Sequence, residues 1–173
     1  MNIMHISEKL DYTPGVLTVQ RHVRGKWACS ECQTLTQAPV PAQIIDKGLP
    51  TSGLLAQVLG AKYSDHLPLY RQETIFGRSG YAIARSTLAQ WVGVCGVQLQ
   101  PLVDAFRGAM FRSAVLHADE TPVAAAVMSL IQSAKLNGHD PYAYLKDVLT
   151  RLPTQKNSRI DELLPHRWIP LTT

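Results

Sequence analysis

The sequence predicts a mainly α-helical protein with a small N-terminal β module, and three observations support this fold class. β-favouring residues are concentrated in one early stretch, residues 16–27. Beyond residue 50, apolar residues recur at helical spacing and are interrupted by capping residues, glycine and proline. Apolar residues form 46% of the 173-residue chain and charged residues 17%, so the chain can bury a core and does not have a disordered composition.

The N-terminal module, residues 1–45, is predicted from the pattern in residues 16–27. Three apolar residues of this stretch fall on one parity: Leu17, Val19 and Val23. The pattern predicts either one strand or a short hairpin that turns near Gly25. Residues 38–41, Ala-Pro-Val-Pro, predict an extended linker to the rest of the chain.

The next region, residues 46–113, is predicted to be compact, basic and all-helical. Ser52 is the predicted N-cap of its first helix, and Pro68 suits the first turn of a second, short helix. Ser86 is the predicted N-cap of a third helix. Pro101 is expected to open a fourth helix with one apolar side.

The C-terminal region is predicted to be a helical element at residues 124–173, preceded by a single strand at 114–123. Its first helix is expected to end at Asn137-Gly138. Asp140-Pro141 combines an N-cap with a first-turn proline and predicts a helix that starts there. A final short helix is expected at residues 160–164.

The formal net charge of +4 is unevenly distributed along the chain, because residues 61–112 carry a net charge of +3. A basic region of this kind can neutralise nucleic-acid phosphates, although a solvated surface without a partner has the same composition. The basic residues concerned are Lys62, Arg71, Arg78, Arg85, Arg107 and Arg112.

The composition also indicates a cellular compartment. No apolar run approaches the roughly 20 residues of a membrane-spanning helix, and residues 1–5 lack the pattern of a secretion signal. Three cysteines, an odd number, argue against a disulfide framework and for a reducing compartment. We therefore expect a cytoplasmic protein without a membrane partner.

Cys29 and Cys32 have the C-x-x-C spacing that lets two thiolates bind one zinc ion. A structural zinc site needs four ligands, usually two such pairs or one pair with histidines. Cys95 falls on the apolar side of a predicted helix, and His22 is the nearest histidine candidate. The pattern therefore predicts half a zinc site or two ordinary reduced thiols.

The second and third predicted helices have the order of a helix-turn-helix, in which the second helix enters the major groove of DNA. Arg71 and Arg78 would lie near phosphates, and the early residues of the second helix, from Arg85 to Gln90, would contact base edges. The alternative is an ordinary helical hairpin of an α domain. The candidate DNA-binding residues are Arg71, Arg78, Arg85, Ser86, Thr87 and Gln90.

Asp119 is the candidate catalytic and metal-binding residue, because it follows the strand-like stretch Val115-Leu116-His117-Ala118. A carboxylate at a strand end is well placed to bind Mg²⁺, and polynucleotide chemistry commonly uses two such metals held by shared carboxylates. The alternative is a surface pair formed by Asp119 and Glu120 between a strand and a loop.

The chain resembles the transposases of the insertion sequence 66 family over nearly its whole length. The string His117-Ala118-Asp119-Glu120-Thr121-Pro122 matches the opening of the family's catalytic domain. Long strings in a conserved order make the resemblance specific. The other matching strings are residues 8–14, 21–24, 26–32, 62–72, 85–92, 134–138, 144–149 and 159–165.

The resemblance implies a zinc-knuckle module, a helical DNA-binding region and a ribonuclease-H-like core, of which this chain would hold a fragment. In the family, that core carries an Asp-Asp-Glu set that binds divalent metal and cuts and joins DNA. Asp119 matches the first Asp of the set. The implied partners are the terminal repeats of transposon DNA, together with a full-length transposase or a second copy of the chain.

Two departures from the family pattern predict a truncated and internally deleted copy. The family's first cysteine pair has no counterpart here, so Cys29 and Cys32 would be a half-site. The long catalytic segment that follows residues 117–122 in the family is also missing. Only 54 residues follow Asp119, whereas a domain with converging carboxylates usually needs about 100 residues or more.

The acidic residues that follow Glu120 have structural interpretations in the sequence. Asp140 is a predicted cap, Asp147 is placed among helix-surface charges, and Asp161 and Glu162 fall in a short helix. The favoured hypothesis is a transposase-derived DNA-binding protein without catalytic activity. The alternatives are a working transposase that uses metal-dependent strand transfer and a product without a stable fold.

Overall fold

The computed structural model describes residues 3–13, 15–46, 48–112 and 124–170. A three-stranded antiparallel sheet in the order β1-β2-β3 forms the N-terminal part, and helices follow it, so the predicted fold class is confirmed at this level. The elements are β1 (Ile3–Thr13), β2 (Val16–Ala28), β3 (Leu35–Gln37), α1 (Ser52–Tyr63), α2 (Leu69–Arg78), α3 (Arg85–Gln98), α4 (Gln100–Met110), α5 (Ala124–Leu136), α6 (Pro141–Arg151) and two 3₁₀ helices, Leu152–Thr154 and Asn157–Leu163.

The sheet is built on a long hairpin of β1 and β2. The strands pair in antiparallel register up to Thr13 opposite Val16, next to the turn. Gly15 adopts a φ of 83° in that turn, a left-handed conformation that glycine adopts without steric cost. β2 continues through Gly25, which lies opposite Met4. The predicted strand is therefore confirmed, and the alternative of a hairpin turning near Gly25 is wrong.

Strand β1 is the element that the sequence prediction lacked. Four of its apolar or aromatic residues, Met4, Ile6, Leu10 and Tyr12, fall at even positions, and this alternation is the ordinary signal of a half-buried strand. In the sheet, Glu8 lies opposite Arg21, and the two side chains form an ion pair at 2.8 Å. A single strand is not stable by itself, so the pattern in β1 indicates a strand only when β2 is recognised as its partner.

Backbone pairing at Leu10 attaches the hairpin to the helices. The N–H of Leu10 donates to the carbonyl of Leu49 at 2.9 Å, and the N–H of Thr51 donates to the carbonyl of Leu10 at 2.8 Å. The Leu10 side chain is buried and belongs to the same hydrophobic core as the helices. The hairpin therefore contributes a side chain to the hydrophobic core that α1 and the other helices share.

Thr51, rather than the predicted Ser52, is the N-cap of α1. The Thr51 hydroxyl accepts from the N–H of Leu54 at 3.3 Å and donates to Oδ1 of Asp11 at 2.6 Å. The side chain of Gln20 donates to the other oxygen of Asp11 at 2.7 Å. The cap is displaced by one residue because the β1 carboxylate selects Thr51, which a local capping pattern does not reveal.

Helix α1 lies at the centre of the helical part and packs against α3, α5, α6 and β1. A helix that is apolar on nearly all sides is a buried helix. The C-terminal helices therefore share one hydrophobic core with the preceding region. The buried residues of α1 are Gly53, Leu54, Leu55, Ala56, Val58, Leu59 and Ala61.

The start of one helix in the basic region requires correction. Helix α2 begins at Leu69, and Pro68 is its N-cap residue rather than a residue of the first turn. Helix α3 begins at Arg85, so Ser86 is a helical residue and not the predicted N-cap. The prediction for α4 is confirmed, because Pro101 lies in its first turn.

The C-terminal boundaries agree closely with the sequence prediction. Helix α5 is followed by Gly138, whose φ of 77° is the left-handed conformation of a helix C-terminus. Asp140 caps α6 by accepting from the N–H of Ala143 at 2.7 Å. The strand predicted at 114–123, and with it the ribonuclease-H-like core, lies outside the described residues. Within the described ranges, no helix is long and apolar enough to cross a membrane.

Candidate nucleic-acid interface and cysteine knuckle

Helices α2 and α3 form a pair that contributes only one side to the core. Helix α2 buries Gln72 and Phe76, and the turn after it contains Gly80 with a φ of 89°. Helix α3 buries residues at helical spacing, which are Leu88, Trp91 and Cys95. The opposite side of both helices faces solvent.

The predicted DNA-contact residues lie on this solvent side. Arg71, Arg78 and Arg85 are exposed, and so are Ser86 and Gln90. Ser86 and Gln90 are four residues apart in one helix and therefore share a face. Thr87 is half-buried beside them. The six candidates are thus accessible side chains of one helix pair.

The basic residues of this region are not paired with any carboxylate that the structure describes. None of the six cations at positions 61–112 forms an ion pair with any residue that the structure describes. The guanidinium of Arg71 instead lies 5.8 Å from the ring centroid of Tyr70, and its Nε donates to the Tyr70 hydroxyl at 3.1 Å. In the C-terminal element, by contrast, Arg151, Arg159 and Arg167 are each paired.

Glu73 caps the start of α3, a contact that the sequence analysis did not predict. Its carboxylate accepts from the backbone N–H of Arg85 at 3.1 Å and so satisfies a free donor at the start of α3. Glu73 belongs to α2, twelve residues upstream, so no local capping pattern indicates it. The contact sets the position of the α3 N-terminus relative to α2.

Cys29 and Cys32 form an exposed knuckle after β2. The N–H of Cys29 donates to the carbonyl of Thr34 at 3.0 Å, and the N–H of Gln33 donates back to the carbonyl of Cys29 at 3.1 Å. Gln33 has a φ of 55°, so the chain reverses tightly and turns both thiols outward. Sγ of Cys32 is 3.1 Å from Oγ1 of Thr34.

These hydrogen bonds change the acidity of one thiol. Hydrogen bonds lower the pKa of Cys32 to about 7, because they stabilise the thiolate. The largest contribution comes from the side chain of Thr34, followed by the backbone of Thr34 and then by the side chain of Cys29. Cys95 shows the opposite behaviour, since burial inside the core raises the pKa of that thiol to about 12. Cys32 therefore offers a thiolate near neutral pH, which is the form that binds metal.

The two exposed thiols of the knuckle are half of the four ligands that a structural zinc site requires. Cys95 is fully buried in α3 and cannot contribute, and His22 lines a cavity of about 250 Å³ beside the start of α1. Among the described residues, no group of three or more His, Cys, Asp or Glu side chains is arranged to hold a metal ion. The donor set fits one half of a tetrahedral thiolate site.

Asp119, the predicted catalytic and magnesium ligand, lies outside the described residues together with Glu120. Two acidic residues further along the chain are engaged in structural contacts. Asp140 caps α6, as predicted. Asp147 was predicted to be a helix-surface charge, but it is largely buried and accepts from Nε1 of Trp168 at 2.6 Å.

The last two acidic residues are paired with arginines. Asp161 lies 3.4 Å from Arg167, and Glu162 binds Arg159 at 2.7 Å. The pKa of Glu162 is lowered, chiefly because Arg159 hydrogen-bonds to the carboxylate. Every described carboxylate after position 123 therefore has a cap, indole or arginine partner.

Three models of known protein families match the chain. The chain matches the profile of the transposase IS66 family at residues 47–142, which is more than half of its length. The chain belongs to the IS66 transposase family. The IS66 C-terminal element matches at residues 129–166, and the zinc-finger binding domain of transposase IS66 matches at residues 1–33. The zinc-finger match contains both cysteines of the knuckle.

Three curated relatives of this IS66 chain come from Sinorhizobium fredii (strain NBRC 101917 / NGR234). Uncharacterized protein y4qI is 43% identical over 115 residues, y4jD is 38% identical over 116, and y4hP is 33% identical over 118. The alignments cover 66% to 68% of this chain but 21% to 23% of the relatives, so the chain spans about a fifth of their length. No solved structure matches the chain.

Proposed function

We propose that this chain is a transposase-derived DNA-binding protein that contacts DNA through α2 and α3 and does not catalyse strand transfer. The observation that carries the proposal is the set of exposed cations on this helix pair. Arg71, Arg78 and Arg85 make no ion pair with a described carboxylate. When such cations neutralise DNA phosphates, the counterions condensed on the DNA are released, and this release favours binding.

The α3 helix supports a role in base contact. Ser86 and Gln90 are exposed on one face, and both side chains can donate and accept hydrogen bonds at base edges. Glu73 fixes the start of α3 through the N–H of Arg85. A recognition helix held by its neighbour has the rigidity that such contacts require. The expected target is the terminal repeat of the parent transposon.

The proposed lack of catalysis rests on the carboxylates. Two-metal strand transfer needs acidic ligands that converge on shared ions. The described candidates after Asp119 are each held by a structural partner, and Asp147 would have to give up both Trp168 and Arg151 to reach a metal. The family profile and the C-terminal element also overlap at residues 129–142, which supports a missing catalytic segment between them.

The binding proposal is tested by measuring affinity for terminal-repeat duplexes with matched charge variants. The triple variant Arg71→Gln, Arg78→Gln, Arg85→Gln should bind at least tenfold more weakly. The control triple variant Lys135→Gln, Lys146→Gln, Lys156→Gln loses the same net charge from exposed positions outside the helix pair. Equal weakening by both would show a general charge effect and contradict the assignment to α2 and α3.

The second candidate is a working transposase, which family membership favours. It would use Asp119 with Mg²⁺, and the missing ligands would come from another chain. Incubation of a labelled terminal-repeat duplex with the chain and Mg²⁺ or Mn²⁺ separates the two functions. Cleavage that Asp119→Ala abolishes would establish the enzyme and overturn the proposed lack of catalysis.

A further inference from the structure

We propose that the cavity between the β1–β2 hairpin, the start of α1 and α6 binds a small phosphate anion. Both long strands, residues 41–44 and 50–53, and α6 line this cavity, which has a volume of about 250 Å³. Pockets that hold drug-sized ligands measure about 300–1,000 Å³, so the space suits a single anion with its water.

Lys9 of β1 places a buried positive charge in the wall of the cavity. The residue is only 6% exposed. Its ammonium group donates to the carbonyl of Gly48, and the ion pairs of the described residues do not include Lys9. An ammonium group has three N–H donors, and a buried charge is costly unless it is paired. An anion in the cavity would supply that pairing.

Two further basic side chains line the same cavity from other elements. Lys9 lies opposite Gln20 in the hairpin, so His22, two residues further along β2, shares its face. Lys146 reaches the cavity from α6. The two lysines and the carboxylate of Asp11 give the described lining a formal charge of +1, and a protonated His22 raises it to +2. The lining therefore favours an anion.

The start of α1 adds backbone donors to this lining. The first backbone bond of α1 runs from the N–H of Leu55 to the carbonyl of Thr51, and the Thr51 hydroxyl accepts from the N–H of Leu54. The N–H groups of Ser52 and Gly53 precede these bonds, and both residues line the cavity. Backbone N–H groups at a helix N-terminus favour anions, so they act in the same direction as the charged side chains.

A phosphate ion matches this arrangement better than a carboxylate does. The donors belong to four parts of the fold, which are β1, β2, the start of α1 and α6. Phosphate has four oxygens that can each accept from a different part, whereas a carboxylate offers two oxygens. A bound phosphate would therefore connect the N-terminal module with the C-terminal element and stabilise the fold.

The position of the cavity favours a small anion over the DNA backbone. The described residues that line it lie outside α2 and α3, the proposed DNA surface. Lys9 is buried, whereas the phosphates of a stiff duplex reach donors that stand at the protein surface. The inference therefore does not rest on the proposed function, and the two can fail separately.

The test measures the melting temperature of the 173-residue chain in millimolar inorganic phosphate, with sodium chloride of equal ionic strength as the reference. A ligand that binds the folded chain stabilises it by mass action, so the melting temperature should rise by about 3 °C or more and then level off. The levelling off matters, because phosphate excluded from protein surfaces stabilises proteins in general without saturating. Isothermal titration calorimetry should give one phosphate per chain.

Matched charge variants locate the phosphate. Lys146→Gln should weaken phosphate binding about tenfold, because it removes a charge-assisted contact. Lys135→Gln loses the same charge from an exposed position of α5 outside the cavity and should bind phosphate as the parent does. His22→Ala should also weaken binding, and circular dichroism in chloride checks that each variant is folded. Lys146 and His22 are chosen because a Lys9 variant also loses the bond to Gly48.

Three outcomes would overturn the proposal. The first is the absence of a saturable phosphate response in the parent chain. The second is equal phosphate affinity in Lys146→Gln and Lys135→Gln, which would show a general charge effect. The third is competition between phosphate and a terminal-repeat duplex at constant ionic strength, with equal weakening of both by His22→Ala, which would make the DNA backbone the occupant.

Discussion

The cap of α1 provides a quantitative test of how the hairpin and the helices are joined. In Thr51→Ala, the helix loses a cap bond to the N–H of Leu54 and the hairpin loses the 2.6 Å bond to Asp11. Loss of an N-cap costs about 1 kcal/mol, and a hydrogen bond to a carboxylate contributes roughly 1.5–3 kcal/mol. Asp11 keeps its hydrogen bond from Gln20, so the loss of the bond from Thr51 should cost an amount near the lower end of the range for a carboxylate.

The expected destabilisation of Thr51→Ala is therefore about 2–3 kcal/mol, or about 5–10 °C in melting temperature for a chain of this size. Urea unfolding followed by far-UV circular dichroism measures the free energy of unfolding. Thr51→Ser keeps the hydroxyl and Ser52→Ala removes the cap that the sequence predicts, so both should remain within about 0.5 kcal/mol of the parent. If Ser52→Ala is as damaging as Thr51→Ala, the described junction is wrong.

Three further predictions follow from individual contacts. Alkylation of Cys32 should reach half its maximal rate at about pH 7. Thr34→Val should move that midpoint to higher pH, because the variant loses a hydrogen bond that stabilises the thiolate. An unchanged midpoint would contradict the contact between Cys32 and Thr34. Asp147→Ala should lower the free energy of unfolding by about 2 kcal/mol, because the indole N–H of Trp168 loses its hydrogen-bond acceptor. Calorimetry should detect this loss, and an unchanged stability would show that the bond does not contribute. Glu73→Ala should cost about 1 kcal/mol in urea unfolding by uncapping α3, with Glu73→Gln closer to the parent, and equal stability of all three forms would remove the proposed capping role.

Local signals predicted the C-terminal elements well. Asp140-Pro141 and Gly138 act within a few residues of the helix ends that they determine, so the sequence contains the whole interaction. Cys95 was placed on the apolar side of its helix, and it is fully buried. Helical spacing is sufficient for such residues because the core side of a helix repeats along the chain.

Interactions between distant segments explain what the sequence reading missed. The N-cap position at Thr51 depends on Asp11, forty residues upstream, and the start of α3 depends on Glu73 in the preceding helix. Strand β1 is defined by its register with β2, although its alternating apolar residues were visible. Each of these features depends on tertiary contacts that override a local preference.

The candidate site was predicted with unequal success for the same reason. Exposure of Arg71, Arg78 and Arg85 follows from their helical positions, which the sequence reveals. That they lack carboxylate partners among the described residues is a property of the fold, which the sequence alone does not reveal. Their roles in DNA contact and the role of Asp119 remain predictions.

The salt dependence of DNA binding tests the central claim most directly. Each phosphate contact contributes about 0.9 to the slope of log K against log salt concentration, so removing Arg71, Arg78 and Arg85 should make the slope shallower by about 2.7. The control variant at Lys135, Lys146 and Lys156 should keep the parent slope. A parent slope near zero, or the same slope for the parent and the arginine variant, would contradict binding through α2 and α3.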